Sequence, residues 1–179
     1  GYGVSCLIKL STFRRFSKLS IAMFDSGRGI AVGGAAVSTG LSGVVRKNTG
    51  TVTWQNVATA NFSPALSNSF PFWSGACARK NTGTAWVCGS NAKIYKSSDY
   101  GASWVEKNNG ISGSQSFFDI YFKSLTEGMA VGSNGMAYFS TNGGDTWVVQ
   151  STGTTSNLYA AHCAGSVWYV SGSNNTMLK

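Results

Sequence analysis

One eight-residue phrase occurs twice in this chain. Ser97-Ser98-Asp99-Tyr100-Gly101-Ala102-Ser103-Trp104 returns 43 residues later as Ser140-Thr141-Asn142-Gly143-Gly144-Asp145-Thr146-Trp147. Both read Ser-x-Asp/Asn-x-Gly-x-Ser/Thr-Trp, and each follows a strand-like run by the same offset. Self-similarity at a fixed period marks an array in which one supersecondary unit stacks on copies of itself, because a single unit cannot bury its apolar faces alone. The spacing therefore disfavours folds built around one irregular core before any chemistry is considered.

Working back from the second phrase exposes the unit. It runs Asp119-Ile120-Tyr121-Phe122, a polar turn over 123–127, Gly128-Met129-Ala130-Val131-Gly132, the turn Ser133-Asn134-Gly135, then Met136-Ala137-Tyr138-Phe139 and the phrase. Trp147-Val148-Val149 closes it. Four short strands separated by turns rich in Asn and Gly, residues that tolerate positive φ, read as an antiparallel meander. A parallel copy spans 72–106, and a weaker one spans 19–57 with a degraded phrase from Asn48 to Trp54. The last copy, 157–179, has three strands and no phrase. The second strands carry Ile30, Val32, Trp86, Met129, Val131, Trp168 and Val170, the large or β-branched residues that stacked sheet faces require. The expected fold is all-β, a β-propeller of about four four-stranded antiparallel blades, or a fragment of a larger propeller.

The phrase resembles the Asp-box, the sialidase-type repeat carried on propeller blades between third and fourth strands. That resemblance implies a structural staple: Ser97, Asp99, Gly101, Ser103 and Trp104, and again Ser140, Asn142, Gly144, Thr146 and Trp147. The Asp or Asn oxygen would accept backbone N–H groups of its own turn, and the Trp ring would pack inside the sheet. Asp99 is then a poor choice for a catalytic acid.

Charge is sparse and uneven. Only 11% of residues are charged, yet the net charge is +8. Lys9, Arg14, Arg15 and Lys18 precede the first acid, Asp25, so 1–18 is a basic N-terminal segment. Within it Gly3 to Leu10 is a candidate closing strand for the last blade. The apolar residues Leu7, Leu10, Phe13, Phe16 and Leu19 recur every third position, so 7–20 can alternatively be read as a basic amphipathic helix, similar to part of an organelle transit sequence. No run is long and apolar enough to span a membrane as a helix. Arg14, Arg15 and Lys18 are candidates for an electrostatic partner contact. Phe62 and Phe70, in the irregular stretch from Gln55 to Pro71, are candidate apolar anchors or else pack beneath their loop.

Of the four cysteines, Cys77 and Cys88 fall on adjacent strands of one blade, so a disulfide is conceivable if their registers meet. The ligands are too scattered for zinc, with His162 the single His, and no metal or cofactor is expected. Sialidase chemistry needs an arginine cluster for the substrate carboxylate, plus a Tyr paired with a Glu and an Asp acid/base. Here the arginines are Arg14, Arg15, Arg28, Arg46 and Arg79, all in the first half, and the acids number six. No serine-hydrolase elbow or phosphate loop is present, and basic and aromatic residues do not interleave as nucleic-acid surfaces demand. No enzymatic activity is expected.

A closer resemblance is to the photosystem II stability and assembly factors of chloroplasts and cyanobacteria, whose repeat runs Gly-x-Ala-Val-Gly-x-x-Gly, a short strand, then Thr/Ser-x-Asp-Gly-Gly-x-Thr-Trp. Gly128 to Gly135 and Ser140 to Trp147 match it nearly throughout, and Gly29-Ile30-Ala31-Val32-Gly33 matches in part. The resemblance implies a non-catalytic propeller that binds a protein partner, as an assembly or structural subunit of a membrane-associated, photosynthetic complex. It implies the thylakoid lumen or another extracytoplasmic compartment. The alternative is an extracytoplasmic sialidase-like propeller that binds glycans, for which Asn61-Phe62-Ser63 and Asn174-Asn175-Thr176 are acceptor patterns for modification. The binding surface is expected on the inter-blade links and the second-to-third-strand turns.

Overall fold

Short alternating runs, interrupted by Asn and Gly, form sixteen strands and no α-helix among the described residues of the computed structural model, which are 16–37, 40–49, 54–64 and 73–179. The first blade is the meander β1 (Phe16–Met23), β2 (Arg28–Val37), β3 (Gly40–Thr49) and β4 (Gln55–Asn56). A two-residue strand, β5 (Phe62–Ser63), comes next and adds in parallel to the outer edge of the second blade. That blade is β6 (Trp73–Ala78), β7 (Ala85–Gly89), β8 (Ile94–Ser97) and β9 (Trp104–Glu106). The third is β10 (Phe117–Phe122), β11 (Gly128–Gly132), β12 (Ala137–Ser140) and β13 (Val148–Val149). The fourth has only β14 (Leu158–Ala164), β15 (Val167–Gly172) and β16 (Met177–Leu178).

Successive first strands pack on one another in the order β1, β6, β10, β14, so the blades fan around an axis lined by those strands. No comparable packing links β14 back to β1 among the described residues, whose blades form an open arc. The turns use the residues that reading by composition requires: Asn91, Asn134, Asn174 and Asn175 all have φ between 53 and 56°, at equivalent second-to-third-strand turns.

Core formation follows from alternation. In the second blade Ala85, Val87, Tyr95 and Trp104 face back to Ala22, Phe24, Ile30 and Val32 of the first. Cys77, Trp86, Cys88 and Ile94 face forward to Phe117, Ile120, Phe122 and Tyr138 of the third. Met129, Val131 and Ala137 continue forward to Leu158, Ala161 and Val170. Strands β7 and β11 thus bury both faces, which explains why all of their residues are buried and why they read as near-continuous apolar runs in sequence.

Three expectations change. The helical reading over 7–20 fails where it can be checked, because Phe16–Met23 is strand β1, laddered from Leu19 opposite Gly33 to Met23 opposite Gly29. The β2 ladder fixes the extended backbone there, and Ala22 and Phe24 face the inter-blade core. The first hairpin is also longer than its repeat counterparts, with β2 and β3 paired from Arg28–Thr49 to Val37–Gly40. Thirdly, the stretch from Gln55 is not wholly irregular, since it carries β4, a 3-10 turn and β5. Gly3 to Leu10, Cys6, Arg14, Arg15 and Phe70, and the centre of the degraded phrase, lie outside the described residues.

Candidate functional site

The topology sorts the loops onto two sides. First-to-second turns and third-to-fourth turns open on one side; second-to-third turns and inter-blade links open on the other. The repeated phrase occupies the third-to-fourth turns of the second and third blades. In the second blade the Ser97 hydroxyl donates to Asp99 Oδ1 at 2.8 Å and accepts the Gly101 N–H at 2.9 Å. Asp99 Oδ1 also accepts the Ser103 N–H at 2.8 Å, and Oδ2 accepts the Ser103 hydroxyl at 2.6 Å. The Trp104 indole, fully buried, donates to the Gly101 carbonyl at 3.2 Å. The third blade repeats the pattern with an amide: Asn142 Oδ1 accepts the Ser140 hydroxyl at 3.0 Å and the Thr146 N–H at 2.9 Å. Its Nδ2 donates to Thr146 Oγ1 at 2.9 Å, so the amide satisfies by donation what the carboxylate satisfies by acceptance. Gly101 and Gly144, at φ 80° and 85°, occupy left-handed backbone that other residues resist.

Electrostatically the Asp99 carboxyl is committed to this turn. Burial pushes its pKa up, but the Ser103 hydroxyl and N–H, the Ser97 hydroxyl and the Ala102 N–H outweigh burial and hold it below the ordinary value. The other five acids are engaged as well. Asp25 pairs with Arg28 at 2.7 Å, and Asp145 with Lys107 at 2.6 Å. Glu127 pairs with Lys123. Glu106 meets Lys93 at 2.5 Å, the Tyr95 hydroxyl at 3.1 Å and the Asn108 amide at 2.7 Å. Asp119 Oδ2 accepts the Ala161 N–H at 2.9 Å and so ties the third blade to the fourth. Among the described residues no group of three or more His, Cys, Asp or Glu is placed to hold a metal.

The side bearing the second-to-third turns holds an open groove of about 690 Å³. Asn134, Met136, Val149, Gln150, Thr152 and Thr154 border it. Its wall is held at Gly135, whose N–H donates to the Ser156 carbonyl at 2.8 Å and whose carbonyl accepts the Thr152 hydroxyl at 2.8 Å. The opposite side gathers basic side chains. A cleft of about 270 Å³ between the first two blades is bordered by Phe24, Asp25, Arg79 and Lys80. Arg79 there donates to the Phe122 carbonyl at 3.0 Å, and Lys80 is exposed.

The predicted anchors fare differently. Phe62 is not an exposed anchor: it is 3% exposed, edge-on to Tyr95 at 5.2 Å and stacked on Trp104 at 6.1 Å. Its strand, β5, is an edge cap on the second blade, and burying the ring there is favoured over holding it in water. Lys18 lies on β1, whereas its companions Arg14 and Arg15 and the second anchor, Phe70, are outside the described residues. The disulfide considered between Cys77 and Cys88 is absent: Cys77 opposes Trp86, Cys88 opposes Gly75, and both remain buried thiols. The registers do not meet. Cys77 Sγ instead accepts the Phe122 N–H at 3.3 Å, and burial pushes its thiol pKa up.

One contributor escaped the sequence reading. Tyr100 holds a left-handed φ of 59°, rare for an aromatic residue. Its ring carries the Arg28 guanidinium at 3.7 Å and meets Phe24 edge-on at 5.2 Å, clamping the first blade to the second. The signal was the position itself, which in the second phrase is Gly143, also at positive φ.

Comparison with known proteins places this arrangement. Residues 34–139, well over half of the chain, match the family model described as photosynthesis system II assembly factor YCF48. Among solved structures, YCF48 bound to D1 peptide superposes with a TM-score of 0.64 at 15% identity, covering 86% of this chain and 47% of that one. YCF48 from Cyanidioschyzon merolae gives 0.63 at 16% identity, covering 89% and 50%. The GH74 enzyme of Niastella koreensis gives 0.64 at 18% identity, covering 88% and 26%. At these identities the structural likenesses show the fold, and the chain spans about half the length of the YCF48 structures. No curated protein matches the chain significantly.

Proposed function

Since the chain belongs to the photosynthesis system II assembly factor YCF48 family, we propose that it is a non-catalytic propeller that binds an extended segment of a protein partner during assembly of a photosynthetic membrane complex. The observation that carries this reading is the family match over 34–139. The commitment of all six carboxylates to turns, ion pairs and inter-blade bonds supports the non-catalytic part, because most glycoside hydrolases need a carboxyl pair facing substrate. The net charge of +8 favours an acidic or carboxylate-bearing partner, and Arg14, Arg15 and Lys18 are the proposed electrostatic contact. The thylakoid lumen is the compartment this reading implies. A related propeller has been solved with a D1 peptide, which makes that peptide the first probe.

The test is a fluorescence-anisotropy titration of labelled D1 peptide with the 179-residue chain at several ionic strengths. Saturable binding that weakens as salt rises is expected, because exposed charges are screened beyond about 8–10 Å. Reversing Arg14, Arg15 and Lys18 to Glu together should weaken it about tenfold, equivalent to roughly 1.4 kcal/mol. Absence of binding, or affinity indifferent to both salt and charge reversal, would overturn the proposal.

A further inference from the structure

Asparagine is a thermolabile residue. The backbone nitrogen of the residue that follows it can attack its Cγ and close a five-membered imide. Glycine in that position opposes the attack least, because it has no Cβ. Three Asn-Gly pairs occur in this chain, Asn109-Gly110, Asn134-Gly135 and Asn142-Gly143. All three lie between strands, yet the fold holds them differently.

Two of the pairs have their nucleophile locked. The Gly143 N–H donates to the Thr126 carbonyl at 2.7 Å, and Ser140 and Thr146 hold both ends of the Asn142 amide. The Gly135 N–H donates to the Ser156 carbonyl at 2.8 Å, and the Thr152 hydroxyl holds the carbonyl of the same glycine. Gly135 and Gly143 are both buried. A nitrogen whose proton is committed to a tertiary hydrogen bond, on a peptide fixed in place, attacks only after local opening.

The remaining pair is held only by its carbonyl side. The Ile111 N–H donates to the Asn108 carbonyl at 2.9 Å, closing a turn in which Gly110 has φ 85°. The Trp147 N–H donates to the Asn109 carbonyl at 2.8 Å. Asn109 and Gly110 are both exposed. Among the described residues neither the Gly110 N–H nor the Asn109 side-chain amide has a hydrogen-bond partner. Glycine is also required here, because a Cβ at Gly110 would strike the Trp147 carbonyl oxygen. The contact that seats Trp147 in the third blade therefore imposes the residue that leaves Asn109 open to attack.

We propose that Asn109 is a site of spontaneous deamidation in the folded protein and that the fold protects Asn134 and Asn142. The Gly110 nitrogen gives its proton to hydroxide and bonds to Asn109 Cγ; the Cγ–Nδ2 bond breaks and ammonia leaves. Water then opens the imide. Cleavage at Cγ gives Asp, whereas cleavage at the main-chain carbonyl carbon gives isoaspartate, in which the chain runs through Cβ and Cγ. Either product lowers the net charge of +8 by one. Isoaspartate also turns the carbonyl used by Trp147 into a pendant carboxylate and lengthens the link by one methylene. It thereby loosens the bond between that link and the third blade.

The experiment ages the purified 179-residue chain in heavy-oxygen water at neutral and mildly alkaline pH, folded and in urea. Each Asn-Gly peptide is then read by mass spectrometry with electron-transfer fragmentation, which separates Asp from isoaspartate. In the folded chain Asn109 should convert at least about tenfold faster than Asn134 or Asn142, the slowing that an opening free energy of roughly 1.4 kcal/mol imposes. In urea the three rates should converge, and each should rise with pH because hydroxide takes the nitrogen's proton. Asn109→Gln keeps the backbone carbonyl but must close a larger ring, so it should lose the acidic species seen on cation exchange. Asn134 or Asn142 converting as fast as Asn109 in the folded chain would overturn the proposal. So would an Asn109 inert until the chain is unfolded, or acidic species that persist in the variant. In the isolated isoaspartyl species, amide exchange at Trp147 should quicken; unchanged exchange would overturn the effect on the seam.

Discussion

At the scale of single residues, Asp99 does by charge what Asn142 does by its amide, within turns of the same hydrogen-bond plan. Replacing Asp99 by Ala removes the acceptor for both Ser103 groups and should cost about 1 kcal/mol, the size of a lost cap. Replacing it by Asn should cost less, measured by urea melts at pH 7. The acid dependence has a definite sign. A carboxyl held below its unfolded pKa of about 3.9 contributes stability that is fully present above that value and is lost as pH falls through the lower folded value. The advantage of the parent over Asp99→Asn should therefore shrink below about pH 4; an advantage unchanged down to the folded pKa would contradict the assignment. Asp25 and Asp145, held low by the Gly27 N–H and by the Lys107 ammonium respectively, add acid sensitivity common to both proteins. Comparing the two cancels it.

At the scale of elements, the seam between the second and third blades is tied by specific contacts. Trp86 lies flat on Phe122 at an interplanar angle of 9°, and its indole donates to the Gly143 carbonyl at 3.0 Å. Both rings are fully buried. Truncating either to Ala should cost about 3–5 kcal/mol. The double variant should fall short of the sum by about 1 kcal/mol, the coupling expected of an aromatic pair. Denaturant melts of the four proteins in that cycle decide it, and strict additivity would mean that the rings pack independently. The edge strands follow another logic. β9 is covered by β5, whereas Val148 and Val149 of β13 remain more than 60% exposed. In the third blade the inter-blade link takes the capping role, with the Trp147 N–H donating to the Asn109 carbonyl at 2.8 Å.

At the scale of the whole molecule, an open arc is held unevenly. The second and third blades each have two neighbours; the first and fourth each have one among the described residues. In a repeat array stability is approximately a sum over units and nearest-neighbour contacts. Amide hydrogen exchange should accordingly be slowest in β7 and β11, whose residues are all buried, and faster in β1 and β15. Uniform protection across the four blades would argue that the arc unfolds as one unit.

The sequence by itself determined the repeat, the strand order within each blade, the turn positions and the phrase that closes two of them. These are local properties, written in alternation and in Gly, Asn and Ser at fixed offsets, so they survive reading one segment at a time. Its resemblance to the assembly-factor repeats led to the right family for the same reason. Phe62 was legible as an aromatic in a loop, but burial against Trp104 depends on β5 pairing with a strand 42 residues further along the chain. The Cys77–Cys88 offset depends on the hairpin register, which sets Cys77 opposite Trp86 and Cys88 opposite Gly75, and nothing in the spacing of the cysteines reports it. Tyr100 in left-handed backbone is held by Arg28 and Phe24 from the neighbouring blade. Only tertiary structure decided these, because each is a contact between units whose relative placement no single unit encodes.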